Sequence, residues 1–219
     1  MSPAGYYSRF ELPDWFGGDP ARADLLRHIW DERYPALFED EHGEAVGDLG
    51  RANEALLDAL GPATDPDAHR RHVYAAMALA LAAGPTVESF WPDDERPARA
   101  FDAAERFVRD GDRPTDSAEA VFPLEMTPPQ ELNEAINVQR NLLRSLDPEK
   151  ARRALRMSLD DVLEGYAVFP GADGRRDLFN WWLTQVFPAA WEQRLPDAIY
   201  TSRWPWPPPP GARPPGPGY

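Results

Sequence analysis

The 219-residue chain contains no cysteine, and its only lysine is Lys150. Without cysteine the protein has no disulfides, no thiolate metal site and no cysteine nucleophile. The first residues lack the basic and apolar regions of a signal peptide. No apolar run approaches the roughly 20 residues that a membrane helix needs. We therefore expect a cytoplasmic protein that does not act at a membrane.

Strand patterns of alternating, β-branched residues are scarce, whereas helix starts are clearly marked. Asp-Pro pairs begin at Asp19, Asp65 and Asp147, and Thr127 precedes two prolines and Gln130. In each of them a side-chain oxygen can cap a helix while proline occupies its first turn. The sequence therefore predicts an all-α fold, namely an irregular multi-helix bundle with a proline-rich C-terminal tail.

The predicted helices run from these starts to glycine or Gly-Pro stops. They cover residues 20–31, 44–60, 66–83, 97–111, 128–146, 148–166 and 176–191. Gly84 and Pro85 are expected to end the third helix, and a short turn over residues 86–91 then leads to the fourth.

We divide the chain into three parts. Residues 1–112 form an acidic helical half, residues 113–203 form a second helical half packed on the first, and residues 204–219 form the proline-rich tail. The stretch between the two halves keeps apolar residues that a free linker would not need, namely Val121, Phe122, Leu124 and Met126. We therefore expect the halves to share an interface.

Acidic residues outnumber basic ones by 37 to 23, which gives a net charge of −14. Residues 1–112 hold 23 of the acids and 11 of the bases. Such a surface repels nucleic acid and anionic membranes and attracts basic partners. The densest acidic stretch lies on an expected exposed loop and includes Glu39, Asp40, Glu41, Glu44 and Asp48.

Two motifs could bind a metal ion. Asp160, Asp161 and Glu164 could share one helical face and hold Mg²⁺, which prefers oxygen ligands. The structural alternative is that Ser158 caps this helix and that the acids stabilise its first turn through the helix dipole. His69 and His72 have a spacing that suits zinc. The arginines between them would repel a cation, so we favour a solvated helix face over a zinc site. We expect no metal and no cofactor.

A turn with the sequence FWPDDERP occupies residues 90–97, and an alanine-rich segment that ends at Gly111 follows it. Over about residues 87–111 the chain resembles a segment of immunity proteins of bacterial toxin systems. The resemblance implies an all-α fold and a protein that neutralises a toxin. It directs attention to Asp93, Asp94 and Arg96 as partner-binding residues.

The same turn also has a purely structural interpretation. Asp93 or Asp94 can accept backbone N–H bonds before Pro97. Arg96 can pair with either acid and hold the corner.

Three functional hypotheses follow. The first is a non-catalytic acidic protein, an immunity protein that neutralises a basic toxin through Glu39, Asp40, Glu41, Glu44, Asp48, Asp93, Asp94 and Arg96. The second is a metal-dependent enzyme that uses Asp160, Asp161 and Glu164. The third is a scaffold or adaptor that uses the tail. The sequence does not determine the oligomeric state.

The C-terminal segment combines aromatic residues with proline. Phe179, Trp182 and Val186 recur at helical spacing, which indicates core packing. Trp181 and Trp191 are expected to anchor the tail or a partner.

Eight of the last fifteen residues are proline, which favours an extended polyproline II segment.

We predict that removing the residues from Trp206 onward costs little stability, because proline-rich chain buries little surface and donates few hydrogen bonds. Thermal unfolding of the full chain and the truncated chain measures the difference. A melting temperature lower by more than about 5 °C in the truncated chain would show that the tail is packed on the body.

Overall fold

The computed structural model describes residues 19–32, 49–123, 129–168 and 174–200, and every regular element within them is helical. The α-helices are α1 (Pro20–Glu32), α2 (Leu49–Leu60), α3 (Pro66–Phe90), α4 (Arg96–Asp110), α5 (Ala118–Val121), α6 (Gln130–Arg144), α7 (Ala151–Leu159), α8 (Gly174–Trp181) and α9 (Phe187–Trp191). A π-helical turn follows α7 at Asp160–Glu164, and another follows α8 at Trp182–Val186. The predicted all-α class is confirmed; the proline-rich tail lies outside the described residues.

Two of the aspartate-proline starts cap their helices as the sequence predicts. Asp19 Oδ1 accepts a hydrogen bond from Arg22 N at 3.1 Å, and Asp65 Oδ1 accepts one from Ala68 N at 2.9 Å. At the third start the chain first makes a turn after Asp147, and α7 begins four residues later. Local capping chemistry therefore fixes where α1 and α3 begin.

Helix α3 is the centre of the molecule and packs against α4, α6, α7 and α9. Its buried face is built largely from small residues: Ala75, Ala76, Ala78, Ala80, Ala82 and Ala83. Small side chains allow neighbouring helix backbones to come close, and Gln139 of α6 reaches across to donate from Nε2 to Ala80 O at 2.8 Å. The first and second halves of the chain thus contribute to the same core.

The predicted end of α3 at Gly84 and Pro85 is wrong, because the helix continues to Phe90. A proline inside a helix removes one backbone bond and costs about 3 kcal/mol. Contacts beyond it outweigh that cost: Thr86 and Val87 are buried, and Thr86 Oγ1 donates to Ala167 O at 2.8 Å. Tertiary packing overrides the local stop signal.

This extension makes α3 long and apolar enough to cross a membrane by length and composition, with a mean hydropathy of 1.3 over its most apolar window. Among the described helices it alone meets that criterion. In this structure 61% of the window is buried against the rest of the protein, so α3 serves as a core helix.

Pro188 stands in the first turn of α9 and follows the π-helical turn. Pro188 has no N–H to give to the carbonyl four residues earlier. Directly before it the chain forms a π-helical turn, in which Phe187 N donates to Trp182 O. Phe179, Trp182 and Val186 are all buried, as their helical spacing predicts.

Two tryptophans connect α1 and the last described residues to the core. Trp191 lies between the guanidinium groups of Arg22 and Arg71, at 3.2 and 3.4 Å from its ring centre. Trp181 is fully buried, and its Nε1 donates to Ala198 O at 2.8 Å, close to the last described residue, Tyr200. Stacked cations therefore hold α1, α3 and α9 together, and Trp181 holds the chain just before the tail.

One glycine sits where a larger residue has no room. A Cβ on Gly165 would collide with the Glu134 carboxylate and lie 2.6 Å from Asp161 O. The clash matters because Glu134 Oε2 accepts a hydrogen bond from Tyr166 N and ties α6 to the segment after the π turn. Gly84, in contrast, lies inside α3 with open space where its Cβ would be.

We predict opposite effects for the same substitution at these two glycines. Gly165→Ala should destabilise the protein by about 1–3 kcal/mol, because the methyl group must displace Glu134 or the backbone. Gly84→Ala should stabilise it by about 0.5–1 kcal/mol, because alanine favours the helix and meets no obstacle. Urea unfolding of both variants and wild type measures the changes. Equal effects in both variants would contradict the close packing at Gly165.

Candidate functional site

The segment that joins α3 to α4 is a rigid acidic corner, here defined as residues 88–96. Arg96 donates from Nε to Asp94 Oδ1 and from Nη2 to Asp94 Oδ2, both at 2.8 Å. Asp94 Oδ1 also accepts a hydrogen bond from Arg96 N at 3.0 Å. The two-pronged ion pair and the backbone bond together close the turn before Pro97.

The environment of the ion pair strengthens the corner. Burial alone would raise the pKa of Asp94, but its hydrogen bonds to Arg96 outweigh this and the pKa is lowered. The Arg96 guanidinium lies 5.3 Å from the Trp91 ring centre and 5.4 Å from that of Phe122. The arginine thus connects the corner to the connecting segment between the two halves.

Around this rigid centre the corner exposes unpaired acids. Glu88, Asp93 and Glu95 are exposed and form no ion pair with any described residue. They flank Trp91, which is only half-buried, and the exposed Pro92. An apolar surface rimmed by one sign of charge is typical of a protein-binding surface.

The structure assigns different roles to the predicted partner-binding residues. Asp94 and Arg96 form the internal ion pair of the corner, whereas the side chain of Asp93 points to solvent. Five predicted residues lie outside the described part of the chain: Glu39, Asp40, Glu41, Glu44 and Asp48. Glu88 and Glu95 are not among the predicted partner-binding residues, but like Asp93 they are exposed within the corner.

The carboxylates of the second motif do not converge on a common point. Asp160 and Asp161 begin the π-helical turn after α7. Asp160 is exposed and lies 3.9 Å from Arg156, whereas Asp161 is half-buried and interacts electrostatically with Glu134. Burial raises the pKa of Asp161 to about 7, and the carboxylates of Glu134 and Asp160 act in the same direction.

The suggested helix cap before these carboxylates is wrong. Ser158 is buried inside α7 and its hydroxyl meets no hydrogen-bond partner in the described structure. The acids therefore follow a helix rather than start one. Across the described ranges, no three or more histidine and acidic side chains are grouped so that they could hold a metal ion.

The two histidines of α3 are structural, and the prediction of a solvated helix face is wrong. His69 Nε2 lies 2.7 Å from Ser145 O, and His72 Nδ1 lies 2.8 Å from Ala68 O. Both rings are buried, and burial lowers the pKa of each. They face the core because α6 and the turn after it cover this side of α3.

Comparisons of the chain with protein-family models, with curated protein sequences and with solved structures find no significant match. The role of the acidic corner therefore has to be inferred from its own residues and their surroundings.

The buried carboxyl of Asp161 predicts an unusual pH dependence of stability. Its pKa is near 3.8 in the unfolded chain and about 7 in the folded protein. Between these two pKa values the folded state keeps a proton that the unfolded state has lost. The contribution of the Asp161 carboxyl to stability therefore falls as the pH rises to 7. The side chain of the Asp161→Asn variant stays neutral. The free energy of unfolding of this variant should therefore exceed that of wild type by on the order of 2 kcal/mol at pH 8.

Urea unfolding at pH 4.5 and at pH 8 measures this difference. The gain should largely vanish at pH 4.5, where the wild-type carboxyl is already protonated. Asp93→Asn, on the exposed side of the corner, is the control and should show no such dependence. A gain of the same size at both pH values would mean that the substitution acts through packing instead of charge.

Proposed function

We propose that this protein is a non-catalytic binding protein that neutralises a basic protein partner, in the manner of an immunity protein. The observation that carries the proposal is the acidic corner. In the sequence its exposed acids stand on both sides of a half-buried tryptophan, and the corner coincides with the segment that resembles immunity proteins. In this proposal the protein acts in the cytoplasm and its partner is a cognate toxin.

The rigidity of the corner supports a binding role. The Asp94–Arg96 ion pair and the hydrogen bond from Arg96 N to Asp94 hold the turn closed, and the Arg96 guanidinium lies 5.3 Å from the Trp91 ring centre. A surface that is already ordered loses less conformational entropy on binding. Asp94 and Arg96 thus contribute by holding the surface in shape, and Asp93 contributes by contact.

The contacts divide into an apolar centre and a charged rim. Trp91 and Pro92 supply apolar area at the centre, and tryptophan is enriched among the residues that dominate binding energy. Glu88, Asp93 and Glu95 supply negative charge at the rim, where it mainly speeds association with a basic surface. The acids predicted to bind a partner between residues 39 and 48 lie outside the described residues.

The enzyme hypothesis rests on one specific observation. A carboxyl with a pKa of about 7 suits general acid-base chemistry at neutral pH. A Cβ on Gly165, however, would meet both the Glu134 carboxylate and the backbone oxygen of Asp161, so the chain is closely packed around this carboxyl pair. This close packing favours a structural carboxyl pair, so we rank the enzyme second.

The decisive experiment identifies the partner and then measures its association rate. The immobilised protein is used for a pull-down, and the captured protein is produced and checked for toxicity and basic charge. Asp93→Lys with Glu95→Lys should then lower the association rate by about tenfold at low salt, because attraction at the rim becomes repulsion. Trp91→Ala should mainly raise the dissociation rate.

A matched variant separates the corner from net charge. Glu192→Lys with Asp197→Lys changes the net charge by the same amount at exposed positions after α9. This control should associate within about twofold of wild type. Equal slowing in both variants would assign the effect to overall charge, and a captured partner that is acidic or harmless would overturn the proposed function.

A further inference from the structure

A groove of about 540 Å³ opens between α5, α6 and the start of α7. It is lined by Glu119, Asn137, Arg140, Arg144, Lys150, Arg153, Ala154 and Met157. We call it the basic groove, because it collects four cationic side chains, including the only lysine of the chain. Its volume lies in the range of small-molecule sites.

The charge of the basic groove is opposite to that of the protein. Glu119 is its one lining acid, and Arg144 already pairs with it through Nη2 at 2.8 Å. Four cations and one anion leave a charge of about +3 in a chain whose net charge is −14. The Arg144 hydrogen bond lowers the pKa of Glu119, which therefore stays charged at neutral pH.

Arg140 lies in the wall of the groove with 4% of its surface exposed. It donates from Nε to Phe122 O at 2.8 Å, from Nη2 to Pro123 O at 3.1 Å and from Nη1 to Asn137 Oδ1 at 2.5 Å. A guanidinium has five N–H donors, so two remain. No described carboxylate lies within ion-pair distance of this buried cation, a situation that favours binding an anion.

Two further cations, Lys150 and Arg153, line the groove from the segment that follows α6. Lys150 pairs with Asp147 at 3.0 Å but is largely exposed, and Arg153 is exposed and makes no ion pair within the described chain. Asn137 accepts the Arg140 bond through Oδ1, which leaves its amide nitrogen as a further donor. Ala154 and Met157 add an apolar patch beside these donors.

We propose that the basic groove binds a small molecule that carries a phosphate group with at least two negative charges. Phosphate offers several oxygens around one centre, which suits donors that approach from two helices and a turn. The apolar patch and the volume leave room for an organic part. A long nucleic acid is disfavoured, because the acidic remainder of the surface would repel it.

This proposal is independent of the proposed function, and its test uses calorimetric titration of the full chain with pyrophosphate and with a nucleoside diphosphate. We expect saturable binding of both probes at one site per chain. Arg153→Gln should weaken binding by about tenfold, the effect of losing one charge-assisted hydrogen bond. Lys150→Gln should add to that loss.

The matched control is Arg109→Gln, which removes one exposed arginine from the end of α4, outside the groove lining. It should bind both probes within about twofold of wild type. The proposal is supported if the nucleoside diphosphate binds with an affinity equal to or higher than that of pyrophosphate.

Three results would overturn it. The first is no binding of either probe up to about 1 mM. The second is an equal loss in the Arg109 variant, which would indicate unspecific attraction. The third is tighter binding of citrate or single-stranded DNA than of either probe, which would assign the groove to a different class of ligand.

Discussion

The fold depends on one constraint, the close burial of a long alanine-rich helix on several sides. The small side chains of α3 let α6 approach until Gln139 reaches the backbone of Ala80. This burial then determines how the polar side chains on the buried faces of α3 are protonated and hydrogen-bonded. His69 and His72 therefore serve as buried hydrogen-bonding groups with lowered pKa values, although their spacing in the sequence resembles a metal pair.

Features fixed by neighbouring residues could be predicted, and features fixed by distant ones could not. Asp19 and Asp65 cap helices because each carboxylate and the backbone N–H that donates to it lie three residues apart. The end of α3 was missed because the contacts that extend it past Pro85 involve Ala167, far along the chain. The π turn after α7 gives no comparable signal, and there the sequence favoured one continuous helix.

The same distinction applies to the sites. The Asp94–Arg96 pair was foreseeable because both residues belong to one short turn. The basic groove was not, because Arg140 and Arg144 resemble ordinary helix charges until the turn after α6 brings Lys150 and Arg153 opposite them. The sequence nevertheless contained a signal for a basic surface in the second half. Acidic and basic residues are nearly balanced there, whereas the first half is strongly acidic.

One residue outside both candidate surfaces contacts a residue of each. The ring of Phe122 faces Arg96 of the acidic corner, and its carbonyl oxygen accepts a hydrogen bond from Arg140 of the basic groove. Salt screens the interaction between exposed charges over about 8 Å, whereas packed side chains transmit a displacement directly. Any coupling between the two surfaces would therefore act through packing, and Phe122, fully buried between two arginines, is the contact through which a shift at one surface would reach the other.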